Sequence, residues 1–257
     1  MSEIQYNRGA INAGDCIGGA WNLVSRNFWL YIGMGIVTML LVSCVPFVNF
    51  FLIGPVLGGF YYFVLRDMDD EPVEFGMLFK GFEKFVPLMV VGLVQSAPSI
   101  VFTIIQYTID FARLAGAGDP LGTDVNFYQS GSDIALAGLS TAILVFAVIA
   151  FFVAIAWHLV FFFAVPLVID QDADIGDALI TSAKAALSNP GGLIVLVILQ
   201  ILVMLLGMIA LCIGLLVAIP VLYASNAFAY RHVFPRRRQP GFTAPPPPDV
   251  YGFGRGQ

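Results

Sequence analysis

Four hydrogen-bonding side chains stand in or beside long apolar runs of this chain: Gln95, Gln106, His158 and Gln200. Of these only His158, in Trp157-His158-Leu159, can gain a proton. An ionisable group inside an apolar run is the usual mark of an ion or proton pathway, because charge is costly in hydrocarbon. A relay also needs a carboxylate, and the 36-residue uncharged run around His158 holds none. His158 therefore reads first as a neutral, hydrogen-bonded structural histidine and second as a ligand-binding group. The three glutamines, with Ser96, Ser99 and Asn226, read as hydrogen-bond links between helices, with a weakly polar transport path as the alternative.

Other chemistry is thinner. Asp170-Gln171-Asp172-Ala173-Asp174-Ile175-Gly176 resembles the opening of a calcium loop. It has Ile175 where that loop needs a glycine and Thr181 where it needs a glutamate. Asp174 fits better as a helix N-cap with Asp177 in the first turn, both favourable at the positive end of the dipole. The acidic run from Asp67 to Glu71 reads as a solvated loop before a helix. Cys16, Cys44 and Cys212 are odd in number and have no C-x-x-C spacing, so they read as reduced, small hydrophobes. Phosphate loops, nucleophile elbows and His-Glu-x-x-His zinc spacing are all missing from the sequence. The expectation is a protein that is not an enzyme, with no catalytic residue, no metal and no cofactor.

The elements that must carry these residues follow from where charge is missing. The chain has 257 residues, 59% hydrophobic and 11% charged, with a mean hydropathy of +0.87, whereas soluble domains are about 25% charged. Asn27 to Leu65, Phe85 to Ile109, Ile134 to Ile169 and Ala185 to Tyr230 contain no charged residue, 146 residues in all. This excludes a secreted disulfide scaffold, a nucleic-acid binder and a disordered chain. About 20 apolar residues cross the hydrocarbon once, so the four stretches predict two, one, one and two crossings. The turns are expected at Pro46 to Asn49 and around Gly207 to Gly214. The third stretch predicts one long helix ending near Phe163, with a break at Pro166. With six crossings, 11 of the 12 basic residues fall on one side and only Arg113 on the other, which places both termini in the cytoplasm. The polar, mixed-charge first 26 residues predict no cleavable signal peptide.

Three segments ahead of apolar runs align on a glycine: Ile17-Gly18 through Arg26, Phe75-Gly76 through Lys84, and Ile175-Gly176 through Lys184. In each, apolar residues follow the glycine at +2 and +3 and a basic residue falls at +8. Phe75, Leu78, Phe79 and Phe82 recur at the spacing of an amphipathic helix face. Each segment therefore reads as a short helix in the cytoplasmic interface. Its terminal cation, Arg26, Lys84 or Lys184, is expected to reach lipid headgroups. Pro55-Val56-Leu57 and Pro220-Val221-Leu222 stand 11 residues ahead of Arg66 and Arg231, repeating between the first and last units. The fold class predicted is an all-α integral membrane protein. Its six transmembrane helices form three units of interfacial helix plus hairpin, about 14–65, 74–169 and 174–234.

These residues carry a resemblance. Gly54-Pro55-Val56-Leu57-Gly58-Gly59-Phe60-Tyr61 with Arg66, Phe75-Gly76 through Lys80-Gly81-Phe82, Pro166-Leu167-Val168 with Asp170, and Ser182-Ala183-Lys184 are similar to a bacterial six-span membrane protein family of unknown function. That family distantly resembles the membrane domain of glycerophosphodiester phosphodiesterases. The resemblance covers most of residues 10–234 and lacks the catalytic barrel, so it implies a bacterial inner membrane location and no enzymatic role.

Residues 235–257 form a Pro/Gly/Arg-rich tail, expected to be extended and disordered. Arg236, Arg237 and Arg238 are expected to hold anionic headgroups; docking of a protein partner through the prolines is the alternative. The function expected is a non-enzymatic membrane protein that binds lipid or a protein partner at the cytoplasmic face. A small transporter or channel is the alternative. Membrane lipids are the expected partners, a homo-oligomer is compatible with the sequence, and nucleic acid is not expected.

Overall fold

The computed structural model describes residues 4–43, 48–114, 133–209 and 211–235. Among these, every regular element is a helix: α1 (Ala13–Arg26), α2 (Phe28–Ser43), α3 (Val48–Met68), a 3-10 helix (Phe75–Lys84), α4 (Phe85–Leu114), α5 (Asp133–Val160), α6 (Ala164–Gln171), α7 (Ile175–Leu187), α8 (Pro190–Ile209) and α9 (Leu211–Val233). Four segments are long and apolar enough to cross a bilayer: Phe50–Met68, Phe75–Thr108, Val145–Gln171 and Pro190–Ile209. The count rises to five if α1 and α2, bent by 102° at their junction, are taken as one broken span. The chain is thus an all-α protein built to associate with membrane. Helix α2 has 16 residues, about 24 Å of rise, and α9 ends in Arg231 and His232.

Three short helices form a collar at one end of the bundle. In α1, Asn12 occupies the N-cap and accepts from the Asp15 amide at 3.4 Å, while Arg26 sits in the last turn. Its inward stripe is Ala13, Cys16, Ala20, Leu23 and Val24, the spacing of one helical face. In α7, Asp174 holds the N-cap position and Asp177 the first turn, while Ala178, Ser182, Ala185 and Ala186 are buried. The middle member differs from the amphipathic α-helix expected there. It is a 3-10 helix, in which residues three apart eclipse. Leu78 and Gly81 thereby share one buried face against α3. Backbone contact with α3 at Gly59 and Pro55 favours this tighter winding.

The collar helices dock in a ring. Helix α1 rests mainly on α9 and also on α8, the 3-10 helix rests on α3, and α7 rests on α6 and α5. The largest buried side chains, Tyr31, Phe60, Phe63, Phe163, Tyr230 and Phe234, gather toward this end. Tyr31 and Phe63 lie 4.9 Å apart edge to face, and Phe163 and Phe234 lie 5.7 Å apart. Away from the collar, α4, α5 and α8 turn apolar residues outward, among them Phe111, Phe146, Phe152 and Leu206.

The long third stretch breaks at residues 161–163, a little before the expected position, and Pro166 falls in the first turn of α6. A proline there forfeits only an amide that has no helical partner. The freed polar groups are taken by Ser182 of α7, which donates to the Val160 carbonyl at 2.9 Å and accepts from the Phe163 amide at 3.1 Å.

Cys16 is wholly buried and free, with Sγ 3.7 Å from Nδ1 of His232. Burial, and then the charge of Asp15, push its thiol up to about 12. With Cys44 and Cys212 changed to serine, Cys16 is expected to resist N-ethylmaleimide at neutral pH until the protein is denatured. The folded state favours the protonated thiol, so this contribution to stability is complete below 9.0 and is lost as pH rises from there toward about 12. Rapid labelling of the folded protein at neutral pH would contradict the buried placement.

Candidate functional site

Helices α2, α4 and α8 are each the first long helix after a collar helix; α2 and α8 are apolar almost throughout, and α4 carries further polar residues, Ser96, Ser99 and Gln106 among them. Each nonetheless carries a polar residue at its eleventh position: Thr38, Gln95 and Gln200. A rise of 1.5 Å per residue puts all three about 16 Å from the collar ends of their helices. All three line one cavity of about 490 Å³. Tyr61 of α3, His158 of α5, and Tyr223 and Asn226 of α9 complete it, so all six long helices contribute.

The cavity has two unlike walls. Against α3, α8 and α9 most of the polar groups are tied to one another, the Tyr223 hydroxyl excepted. Gln200 Nε2 donates to Ser225 Oγ at 2.8 Å and to Asn226 Oδ1; Asn226 Nδ2 donates to the Tyr61 hydroxyl at 3.3 Å; Ser225 Oγ donates to the Leu222 carbonyl at 2.7 Å. Against α2, α4 and α5 the groups are open. Thr38 is 5% exposed and its buried hydroxyl has no hydrogen-bond partner. Gln95, Ser99 and His158 also make no side-chain hydrogen bond among the described residues, while Ser96 donates to its own helix at Gly92 (2.6 Å). Among the described residues no Asp, Glu, Lys or Arg lines the cavity.

Of the four polar residues singled out in the sequence, Gln95, His158 and Gln200 therefore meet, and Gln200 also links helices. Gln106 is exposed on α4 outside the cavity. Thr38, Tyr61 and Ser225 were not anticipated. The signal that finds Thr38 is its place in the helix, which it shares with Gln95 and Gln200.

A second polar region, of about 720 Å³, lies at the collar. Arg231 donates to Asp69 and to Asp170, each at 3.0 Å, and Tyr230 donates to Asp170 at 2.8 Å. Arg26 donates to Asp67 and Asp70, both at 2.8 Å, and Asp67 also accepts from Asn27 and Tyr31. Lys84 donates to the Val168 carbonyl at 2.9 Å and pairs with Asp172. The acidic residues read as a solvated loop and as a calcium-like turn are thus ion-pair partners, and Asp67 is 2% exposed. Arg26 and Lys84, expected at lipid headgroups, pair with acidic residues of this chain while their side chains stay 49% and 28% exposed. Lys184 is exposed on the last turn of α7. Arg236, Arg237 and Arg238 lie outside the described residues.

No family model, curated protein or solved structure matches this chain. Its function is therefore read from the chemistry of the two polar regions.

Proposed function

We propose that this chain is a non-enzymatic, six-span membrane protein of three units, its collar facing the cytoplasm, and that it binds a lipid between its helices. The observation that carries the reading is the convergence of Thr38, Gln95 and Gln200, the eleventh residues of three helices, on one cavity. Three copies of one unit arranged about an axis place equivalent residues together in this way. The ring of collar docking supports the same parse, since each collar helix rests on the later helices of the preceding unit. Leu57 and Leu222, equivalent in the Pro-Val-Leu repeat, both line the cavity, as do Tyr61 and Asn226. The clustering of basic residues supports the orientation, and a short α2 is accommodated by local thinning of the bilayer.

Lipid binding is favoured over catalysis because His158 has neither a carboxylate to orient it nor a hydrogen bond to a hydroxyl. It is favoured over binding through the collar cations because Arg26 and Lys84 are already paired. Transport is the second reading; it draws on the same cavity and needs a path open at both ends.

Filling the cavity tests the proposal. Met204 lines it from α8, and Met204→Trp is expected to cut the lipid retained in native mass spectrometry by about tenfold, equivalent to about 1.4 kcal/mol, with little change in thermal midpoint. Unchanged retention would place the bound lipid elsewhere. Solute flux in proteoliposomes, blocked by the same variant, would favour transport.

A further inference from the structure

The asymmetry of the cavity specifies what its ligand must offer. This inference rests on the lipid-binding reading and sharpens it. On the α3/α8/α9 wall Gln200, Asn226 and Tyr61 are hydrogen-bonded in one chain, whereas on the opposite wall Thr38, Gln95, Ser99 and His158, and across from them the Tyr223 hydroxyl, have no side-chain hydrogen-bond partner among the described residues. Thr38 is the sharpest of these. A threonine within a helix usually turns its hydroxyl back to the carbonyl four residues earlier, but here Oγ1 is buried and unpaired on a residue that lines the cavity, where a turn about the side chain's first bond would bring it to a ligand. An unmet buried hydroxyl is costly, and a ligand hydroxyl or carbonyl would remove that cost. The ligand must also be uncharged. On this reading the cavity lies near the hydrocarbon midplane, and among the described residues no Asp, Glu, Lys or Arg lines it, so a phosphate there would lack a counter-charge from them.

Size and access point to an amphiphile. A volume of about 490 Å³ lies within the ordinary range of ligand sites and exceeds what a lone polar headgroup fills. Ser99 of α4 and His158 of α5 both line the cavity and are exposed among the described residues, which makes the α4 and α5 side the one from which an acyl chain would enter. The surface on that side is apolar, with Phe151, Phe152 and Val153 turned outward. We infer that the Thr38, Gln95, Ser99 and His158 wall holds the hydroxyl and ester groups of a neutral glycerolipid of the diacylglycerol type, whose acyl chains leave between α4 and α5.

The test uses the full chain in detergent, offered dioleoylglycerol, dioleoylphosphatidylglycerol or free glycerol, with retention read by native mass spectrometry. Wild type is expected to retain dioleoylglycerol at least about tenfold better than the anionic lipid. Thr38→Val and Gln95→Leu are each expected to lower that retention about tenfold, and Thr38→Ser to restore it. Thr38→Val is also expected to raise the thermal midpoint of the lipid-free protein, because it removes an unpaired buried hydroxyl; a purely structural threonine would move both readouts down together. Equal retention of the two lipids, with both lost in Met204→Trp, would overturn the neutral-headgroup assignment and leave lipid binding standing. Displacement of dioleoylglycerol by excess free glycerol would overturn the lipid in favour of a water-soluble polyol. Failure to retain either lipid, with Met204→Trp indistinguishable from wild type, would overturn the reading beneath.

Discussion

Gly59→Ala and Gly81→Ala are each expected to destabilise the protein by about 3 kcal/mol or more, enough to lose most of the folded material on extraction. A Cβ at Gly59 would run into the Leu78 carbonyl oxygen, and one at Gly81 into the Pro55 carbonyl oxygen and the Gly59 amide. These obstacles are backbone atoms, which cannot rotate aside as a side chain can. The two glycines face each other across the seam between α3 and the 3-10 helix, and relief requires the helices to separate. Gly54 and Gly92 make a second such approach further along α3, with a Cβ at Gly92 reaching 2.7 Å from the Gly54 Cα. Gly18→Ala and Gly76→Ala are the matched controls, since a Cβ there meets nothing within 4 Å. Gly18→Ala, on α1, should even help, alanine being the better helix former by up to about 1 kcal/mol. Thermal midpoints by fluorescence-detected gel filtration would separate the two sets, and equal behaviour would refute the close approach.

The second large effect belongs to Arg231. Its side chain is 13% exposed and divides its guanidinium between Asp69 and Asp170, themselves 13% and 19% exposed. Arg231→Met would keep much of the volume and remove the guanidinium that Asp69 and Asp170 share, leaving Asp170 with the Tyr230 hydroxyl. Breaking a buried pair by removing one member costs about 3–5 kcal/mol, and that loss is expected here. Adding Asp69→Asn and Asp170→Asn should recover a good part of it, because the penalty lies in the stranded charge. Arg231→Lys is expected to fall between, since an ammonium cannot reach both carboxylates with a fixed fork. The exposed Lys80–Glu83 pair is the contrast: removing it should change nothing measurable. No recovery in the triple variant would mean that Arg231 acts through packing over Tyr230 and not through its charge.

Much of this architecture could be read from the sequence because hydrocarbon leaves a plain record: the uncharged stretches mark where α2, α3, α4, α5, α8 and α9 run. The collar segments were marked by a glycine and a terminal cation. What those cations touch was not, because pairing of Arg26 with Asp67, or of Arg231 with Asp69 and Asp170, depends on residues brought together from distant positions. The winding of Phe75–Lys84 was hidden for a related reason. Its apolar pattern suits an α-helix, and the contact that favours 3-10 geometry is a backbone on α3. The cavity was half legible. Gln95, His158 and Gln200 stand out by polarity alone, while Thr38 is common enough in apolar helices to pass unnoticed until helix boundaries give it the same ordinal place. Gln106 shares the polarity of Gln95 but lies three turns further along α4, beyond the cavity.

The ring of docking also sets an order in time. Helix α1 leaves the ribosome ahead of α8 and α9, and its seat on them is synthesised roughly 160 to 200 residues later, about 10–40 s at ordinary elongation rates. Through that interval its inward face, Cys16 and Leu23 included, has only water, lipid or a chaperone to meet. Termination before α8 leaves that face with neither of its seats, so the burial of α1 is complete only when the last two helices are in place.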